Sequence, residues 1–500
     1  MKLAHFPQAI QPHLMPRIAG HLVYRCLGCA ETFDIGGLHY VCPHCHQVLL
    51  IEDLQAERLK EIPGSLWHQI FDYRKMLNVP ALSGIYRFHE FIGPSVPLES
   101  IVYLGEGHTP MIRANARLRE RVGLDFYFKN DGQNPSASFK DRGMASAFSY
   151  LSFLITTGQL KEVLAICAST GDTSAAAALY AAYLKPDIQS VVLLPHGKVT
   201  PQQLSQPLGS GARVFEIPGV FDDCMKVVEK LSETYRVALL NSKNAWRILG
   251  QESYAYEIAQ DMEYALDDIV VVLPIGNAGN ITAVMRGFLK FLEAGIISRL
   301  PKIVGVQSEH ANPVYRYYRE TDPAKRRFEP VNVQASVAQA AMIGNPVSMP
   351  RVIRLVDQYE QHVAGNRVFF VEVSEQNIMD WQLQANRNGH IACTHGGECL
   401  AGLVKARAAG YIGDHETAIL DATAHALKFA GFQNLYFEDR FPPEFNITPQ
   451  PALQNAPELV SPNDIDRVPE AGKPLTGKDL QNFVDRIAQD IAANLRLKTR

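Results

Sequence analysis

The sequence predicts an α/β protein with mostly parallel sheets, preceded by a small ribbon of cysteines. Two observations carry this. From about Gly105 to Phe429, short apolar runs alternate with helical patterns, the order that produces βαβ units. Ahead of them the chain reads Cys26-Leu27-Gly28-Cys29 and Cys42-Pro43-His44-Cys45, a Cys-x2-Cys-x12-Cys-x2-Cys pattern. A length of 500 residues adds a third constraint. It exceeds one simple core, and at about 150 residues per domain it implies roughly two to four domains.

Taken in order, the ribbon occupies 21–50 of an N-terminal segment that ends near residue 60. Two cysteine knuckles place four thiolates, Cys26, Cys29, Cys42 and Cys45, around one tetrahedral ion. Zinc is the expected occupant, in a structural role, with iron as the competitor. Asp125–Lys129 reads as a strand before a Ser/Pro-rich loop, and Met144 to Leu151 as the helix after it. Strands follow at Val163–Cys167, Val191–Leu194, Arg213–Ile217, Val237–Leu240, Ile269–Leu273, Ile303–Gln307, Val368–Val373 and Ala418–Leu420. Helical patterns fall at Ala175–Leu184, Phe221–Tyr235, Ile281–Glu293 and His425–Ala430. From Phe441 to Pro474 the chain is rich in proline and asparagine and is expected to run irregularly. A last helix carries one apolar stripe (Leu480, Phe483, Val484, Ile487, Ile491, Leu495), expected to pack on this protein or a sister subunit. Thr476 and Asp479 resemble a capping box at its start.

Composition excludes several classes. A net charge of −4 gives no electrostatic footing for nucleic acid or an anionic membrane. No apolar stretch is long enough to span a bilayer, and the first residues do not resemble a secretory signal. Of 8 cysteines, four form the ribbon and the rest (Cys167, Cys224, Cys393, Cys399) are scattered, which fits a reducing compartment, hence a cytoplasmic expectation.

Four loops at strand ends carry chemistry, because ligands of open α/β sheets bind beyond the carboxyl ends of strands. Gly276-Asn277-Ala278-Gly279-Asn280 opens a helix, and its glycines allow a cup of N–H groups suited to a phosphate. Ser169-Thr170-Gly171-Asp172-Thr173 offers hydroxyls and N–H groups at another helix start, suited to a carboxylate. Asn241, Ser242 and Arg247 supply an amide, a hydroxyl and a guanidinium for a second phosphate. Thr423, after another strand, can meet a ring nitrogen with a neutral hydroxyl. Each loop taken singly is equally an ordinary helix cap or tight turn.

Lys140 joins them. It lies in Ser138-Phe139-Lys140-Asp141, where a loop turns into a helix beside an aromatic ring. An isolated Phe-Lys-Asp is most often a surface lysine. A desolvated lysine, however, loses its charge and condenses with an aldehyde. Lys140 and the loops together describe an aldehyde-bearing ring, its phosphate, an amino-acid carboxylate and a second phosphate. Pyridoxal 5′-phosphate meets the first two requirements.

At this point the chain resembles the threonine synthases, in the fold type II family of pyridoxal-phosphate enzymes, and most closely their plant-like branch. The resemblance rests on Ser138–Asp141, Ser169–Ala176, Asn241-Ser242 with Arg247–Gln251, Gly276–Asn280, Ile343–Ser348 and Thr423–Lys428, in that order. It implies a two-domain, tryptophan synthase beta-like fold. Residues 61–140 plus 241–440 would form the large cofactor domain and 141–240 the small substrate domain, with 441–500 as a wrap and terminal helix. It implies a lyase acting on O-phospho-L-homoserine, and a homodimer. Lys140 would be the catalytic lysine and Gly276, Asn277, Ala278, Gly279 and Asn280 the phosphate cradle. Thr423 would face the pyridine nitrogen and Asp172 the phenolic oxygen. Ser169, Thr170, Gly171 and Thr173 would hold the substrate carboxylate, and Asn241, Ser242 and Arg247 its phosphate. Three departures stand out: Asp172 where several relatives carry asparagine, Ser136-Ala137 in a segment usually Asn-Pro-Thr-Gly-Ser, and His395-Gly396-Gly397 in place of His-Thr-Gly. The readings left open are another fold type II lyase, acting on serine, threonine or phosphoserine, and a non-catalytic zinc-ribbon adaptor.

Overall fold

The computed structural model describes residues 1–161, 163–169, 171–196, 201–219, 221–362, 366–460 and 467–498. The chain forms two units, Met1–Gln450 and Pro451–Arg500.

Three sheets organise the first unit. The ribbon contributes β1 (Leu22–Cys26), β2 (Thr32–Asp34) and β3 (Leu49–Asp53), antiparallel in the order β2-β1-β3. A six-stranded sheet uses β4 (Met111–Arg113), β5 (Asp125–Lys129), β10 (Ile269–Pro274), β11 (Lys302–Ser308), β12 (Val368–Val373) and β13 (Thr417–Asp421). Its order is β12-β11-β10-β13-β5-β4, parallel except for the edge pair β4–β5. Between them in sequence, β6 (Val163–Ala168), β7 (Ile188–Pro195), β8 (Arg213–Ile217) and β9 (Val237–Leu239) make a parallel sheet ordered β8-β7-β6-β9.

The central strands are apolar because both faces are covered. Every residue of β10 is buried, with Val271 set opposite Ile303 on one side and Ile419 on the other. Such strands read as continuous apolar runs rather than alternating ones. Strand order reverses at β10, whose neighbours are β11 and β13, so a crevice opens beyond its carboxyl end.

Helices bring the loops together at that crevice. Lys140–Thr156 and Ala245–Gln251 cross closely because glycines meet there. A Cβ on Gly250 would lie 2.2 Å from the Arg142 carbonyl oxygen, and one on Gly143 would lie 3.0 Å from that of Arg247. Behind Lys140, Arg142 anchors the helix start in a buried ionic network. Its guanidinium donates to Asp131 (2.7 Å) and Glu257 (2.9 Å), while Lys129 reaches Glu257 (3.1 Å) and Asp261 (2.7 Å).

The second unit contains a 3-10 turn, Pro451–Leu453, and the helix Gly477–Asn494. The capping box expected there does not form. Thr476 has N-cap backbone geometry, but its side chain makes no capping bond, and Asp479 is instead paired with Arg467 at 2.8 Å. No residue of this helix is buried, so its apolar stripe remains at the surface.

Candidate active site

Lys140 begins its helix directly after Phe139, whose backbone N–H donates to the Thr423 carbonyl at 2.8 Å. A bridge between Ser138 and Ala424 fixes the same loop to the segment after β13. The Lys140 ammonium lies over the Phe139 ring, 3.9 Å from its centroid. Desolvation chiefly, then the nearby Arg247 charge, brings its pKa down to about 7; Asp172 and Asp421 oppose this. The side chain is half-buried, open toward the cavity it lines, and the interior walls around it set its charge state.

The segment Gly276–Asn280 turns from β10 into the helix Gly279–Glu293. The sequence attributes the cup to freedom at its glycines, but the left-handed residue is Ala278, at φ +60°. Gly276 instead permits close approach, since a Cβ there would lie 2.9 Å from the Ala341 Cα. Among the described residues, no protein acceptor receives the N–H groups from Gly276 to Ile281. These are the donors a helix start leaves unpaired, and they fit a phosphate. Asn280 is held from below by Asp421, Nδ2 to Oδ2, at 2.7 Å.

Ser169, Gly171, Asp172 and Thr173 line the cavity at the end of β6; Thr170 lies outside the described residues. Gly171 N–H donates to Ser169 Oγ at 3.2 Å. Asp172 is buried and pairs with Lys428 at 2.7 Å, and Lys428 also donates to the Ser136 carbonyl at 2.9 Å.

On the third wall Asn244 caps the Arg247 helix, accepting from Trp246 N–H at 2.9 Å. Asn241 is committed to backbone: its amide donates to the Ala168 carbonyl (2.7 Å) and accepts from Ala168 N–H (3.2 Å). It therefore ties β6 to this loop. Arg247 is 3% exposed, and one of its nitrogens donates to the Leu240 carbonyl at 2.8 Å. Among the described residues no carboxylate stands within ion-pair reach of it, and desolvation lowers its pKa to about 10. A buried guanidinium without a counter-charge is costly until an anion arrives. Thr423 is buried, its hydroxyl 3.7 Å from the Cys393 thiol.

These groups line one cavity of about 350 Å³. It takes in Lys140, the cup, the β6 loop, Asn241, Ser242, Arg247 and Thr423 together. The profile of the pyridoxal-phosphate dependent enzyme family matches residues 102–421. A threonine synthase of Methanocaldococcus jannaschii is 32% identical over 409 residues, 81% of this chain and 93% of the relative. Threonine synthase 2, chloroplastic, of Arabidopsis thaliana is 34% identical over 374 residues, 74% of this chain and 70% of the relative.

The chain belongs to the threonine synthases of the pyridoxal-phosphate dependent enzyme family.

In fold, it is similar to the crystal structure of threonine synthase from Escherichia coli, with a TM-score of 0.61 at 21% identity, covering 82% of this chain and 90% of that one. The cofactor of this family is pyridoxal phosphate, and the cup and desolvated lysine fit it. Sequence reasoning missed the part played by Lys428. The departure Asp172 is matched by a cation, and the two meet only because the turn after β13 faces the helix after β6. Residues 339–342 also line the cavity, Ala340 and Ala341 packed on Gly276, just ahead of the Ile343–Ser348 motif and outside it. His395 lines it too, with Nδ1 3.0 Å from Glu398.

Away from the cavity, the ligand atoms of Cys26, Cys29, Cys42 and Cys45 lie within 4.8 Å of one another. That cluster of soft donors fits a tetrahedral ion.

Proposed function

We propose that the protein converts O-phospho-L-homoserine and water to L-threonine and phosphate. The observation that carries this reading is the pairing, in one cavity, of a desolvated Lys140 with a buried Arg247 that has no carboxylate partner among the described residues. A lysine near neutrality suits proton transfer at physiological pH. A guanidinium bonded only to a backbone carbonyl among the described residues suits a phosphorylated substrate over serine or threonine.

Pyridoxal phosphate, when bound, supplies the aldehyde that joins an amine and the electron sink that makes the neighbouring carbon acid labile. The cup at Gly276–Asn280 would hold its phosphate, Thr423 would meet its ring nitrogen, and Asp172, balanced by Lys428, would stand at its phenolic oxygen. Ser169, Gly171 and Thr173, with Thr170, would hold the substrate carboxylate at the helix start. Lys140 Nζ would take the α-proton and return it. Arg247, with Ser242 beside it and Asn241 holding the loop, would grip the γ-phosphate and stabilise it as the Cγ–O bond breaks. A proton would leave Cβ as the phosphate departs and one would be added at Cγ, which becomes the methyl group of threonine; water would then add its hydroxyl to Cβ, its other proton going to the released phosphate.

The reading takes 61–140 plus 241–440 as the cofactor side and 141–240 as the substrate side. It takes the ribbon as a structural zinc site and the enzyme as a cytoplasmic homodimer. Phosphate release tests the substrate. Turnover with O-phosphohomoserine and none with O-phosphoserine supports the reading; the reverse preference refutes it.

A further inference from the structure

The cysteine ribbon is tied by side chains to the helix that carries Arg247 and to the loop before it. The indole N–H of Trp246, the residue before Arg247, donates to Tyr24 Oη on β1 at 3.0 Å. Tyr24 donates to Tyr150 Oη (3.3 Å), and Tyr150 donates back to the ribbon at the Gly37 carbonyl (3.0 Å). The Tyr150 and Trp246 rings stack, with centroids 4.1 Å apart and planes 11° apart. Strand β1, through Tyr24, and the helix Lys140–Thr156, through Tyr150, thus clasp one indole.

A second tie runs through Arg351, fully buried. Its guanidinium donates to the Leu49 carbonyl on β3 (2.6 and 3.1 Å). It also donates to the carbonyls of Ser242 (2.9 Å) and Lys243 (3.1 Å), and to Ser348 Oγ (2.9 Å). One planar fork therefore fixes the ribbon, the loop between β9 and the Arg247 helix, and the segment behind the cup. Leu50 of β3 packs with Ile248 and Ala283, closing the gap between the same elements.

We infer that the ribbon is a positioning element for the Arg247 loop, acting through Tyr24 and Arg351, and that it sets affinity for the substrate's phosphate. Four thiolates gathered on one ion would stiffen β1 and β3, and that stiffness would pass to Trp246 and to the Ser242 and Lys243 carbonyls. Tyr24 and Arg351 are positioning residues, since neither lines the cavity. The inference rests on the reading that this loop receives a phosphate.

The test uses full-length, cofactor-loaded enzyme, so that the cofactor's own phosphate occupies the cup, and measures binding of inorganic phosphate by calorimetry. Tyr24→Phe keeps the ring and removes one hydroxyl. It should raise the phosphate Kd, and the KM for O-phosphohomoserine, by about three- to tenfold, the scale of one buried hydrogen bond. Cofactor affinity should not change and kcat should stay within about twofold, a split that general loss of stability would not produce. Stripping the ribbon metal with a chelator should shift phosphate affinity the same way while the cofactor stays bound. Phosphate affinity unchanged in both, with Arg247→Ala losing it, overturns the inference alone. Phosphate affinity unchanged in Arg247→Ala as well overturns the reading of the loop, and the inference with it.

Discussion

Lys140 owes its reactivity to its surroundings. Burial of the charged form is the largest cause of its lowered pKa, and the Arg247 charge adds to it. The sign is fixed: a lysine with pKa about 7 is protonated below that value and a free amine above it. Cofactor condensation with metal-replete apoenzyme should therefore rise as pH climbs through about 7 and level off above it. An ordinary lysine would still be gaining at pH 10, so a stopped-flow pH series separates the two. Arg247→Ala should raise the KM for O-phosphohomoserine by about ten- to a hundredfold, since charged hydrogen bonds contribute about 1.5–3 kcal/mol; steady-state kinetics checks it. Asp172 and Lys428 act as a pair. Lys428→Met leaves a buried carboxylate without its cation and should cost about 3 kcal/mol of stability. Adding Asp172→Asn, which removes the unpaired charge, should restore most of it in urea denaturation.

At the scale of elements, the site depends on two helices meeting more closely than side chains allow. Gly250→Ala forces a methyl group to 2.2 Å from the Arg142 carbonyl, so the Lys140 and Arg247 helices must separate. Such overpacking costs about 1–3 kcal/mol, and urea midpoints should fall accordingly, with weaker substrate binding. Glu257→Ala removes the acid between Arg142 and Lys129 and should cost about 3–5 kcal/mol. Much of this layer was readable beforehand. The inner strands, β6, β7, β9, β10, β11 and β13, announce themselves as largely apolar runs ended by polar loops, because sheets covered on both faces favour them, whereas the edge strand β8 is mostly exposed. The edge strand β4 was not legible: three largely exposed residues carry no period. The failed cap at Thr476 has a different cause. A motif states that a bond can form, and Arg467 competes for the same carboxylate.

For the whole molecule, the sequence placed the four loops of the proposed site at strand ends and Lys140 at a helix start, and the fold gathers their described residues into one cavity. What it could not supply were contacts between distant segments. Lys428 with Asp172, Arg351 with Leu49 and Ser242, and Trp246 with Tyr24 are set by how the three sheets pack, and no local pattern encodes them. The ribbon illustrates the difference. Its ligand spacing is plain in the sequence, whereas its grip on the anion loop exists only in three dimensions. The account as a whole turns on which amine bonds the cofactor. Borohydride reduction of the loaded enzyme, followed by peptide mass mapping, tests this most directly. The account predicts a pyridoxyl group on the peptide containing Lys140 and on no other. Label on a different lysine, or an unlabelled Lys140 peptide in fully loaded protein, would contradict it.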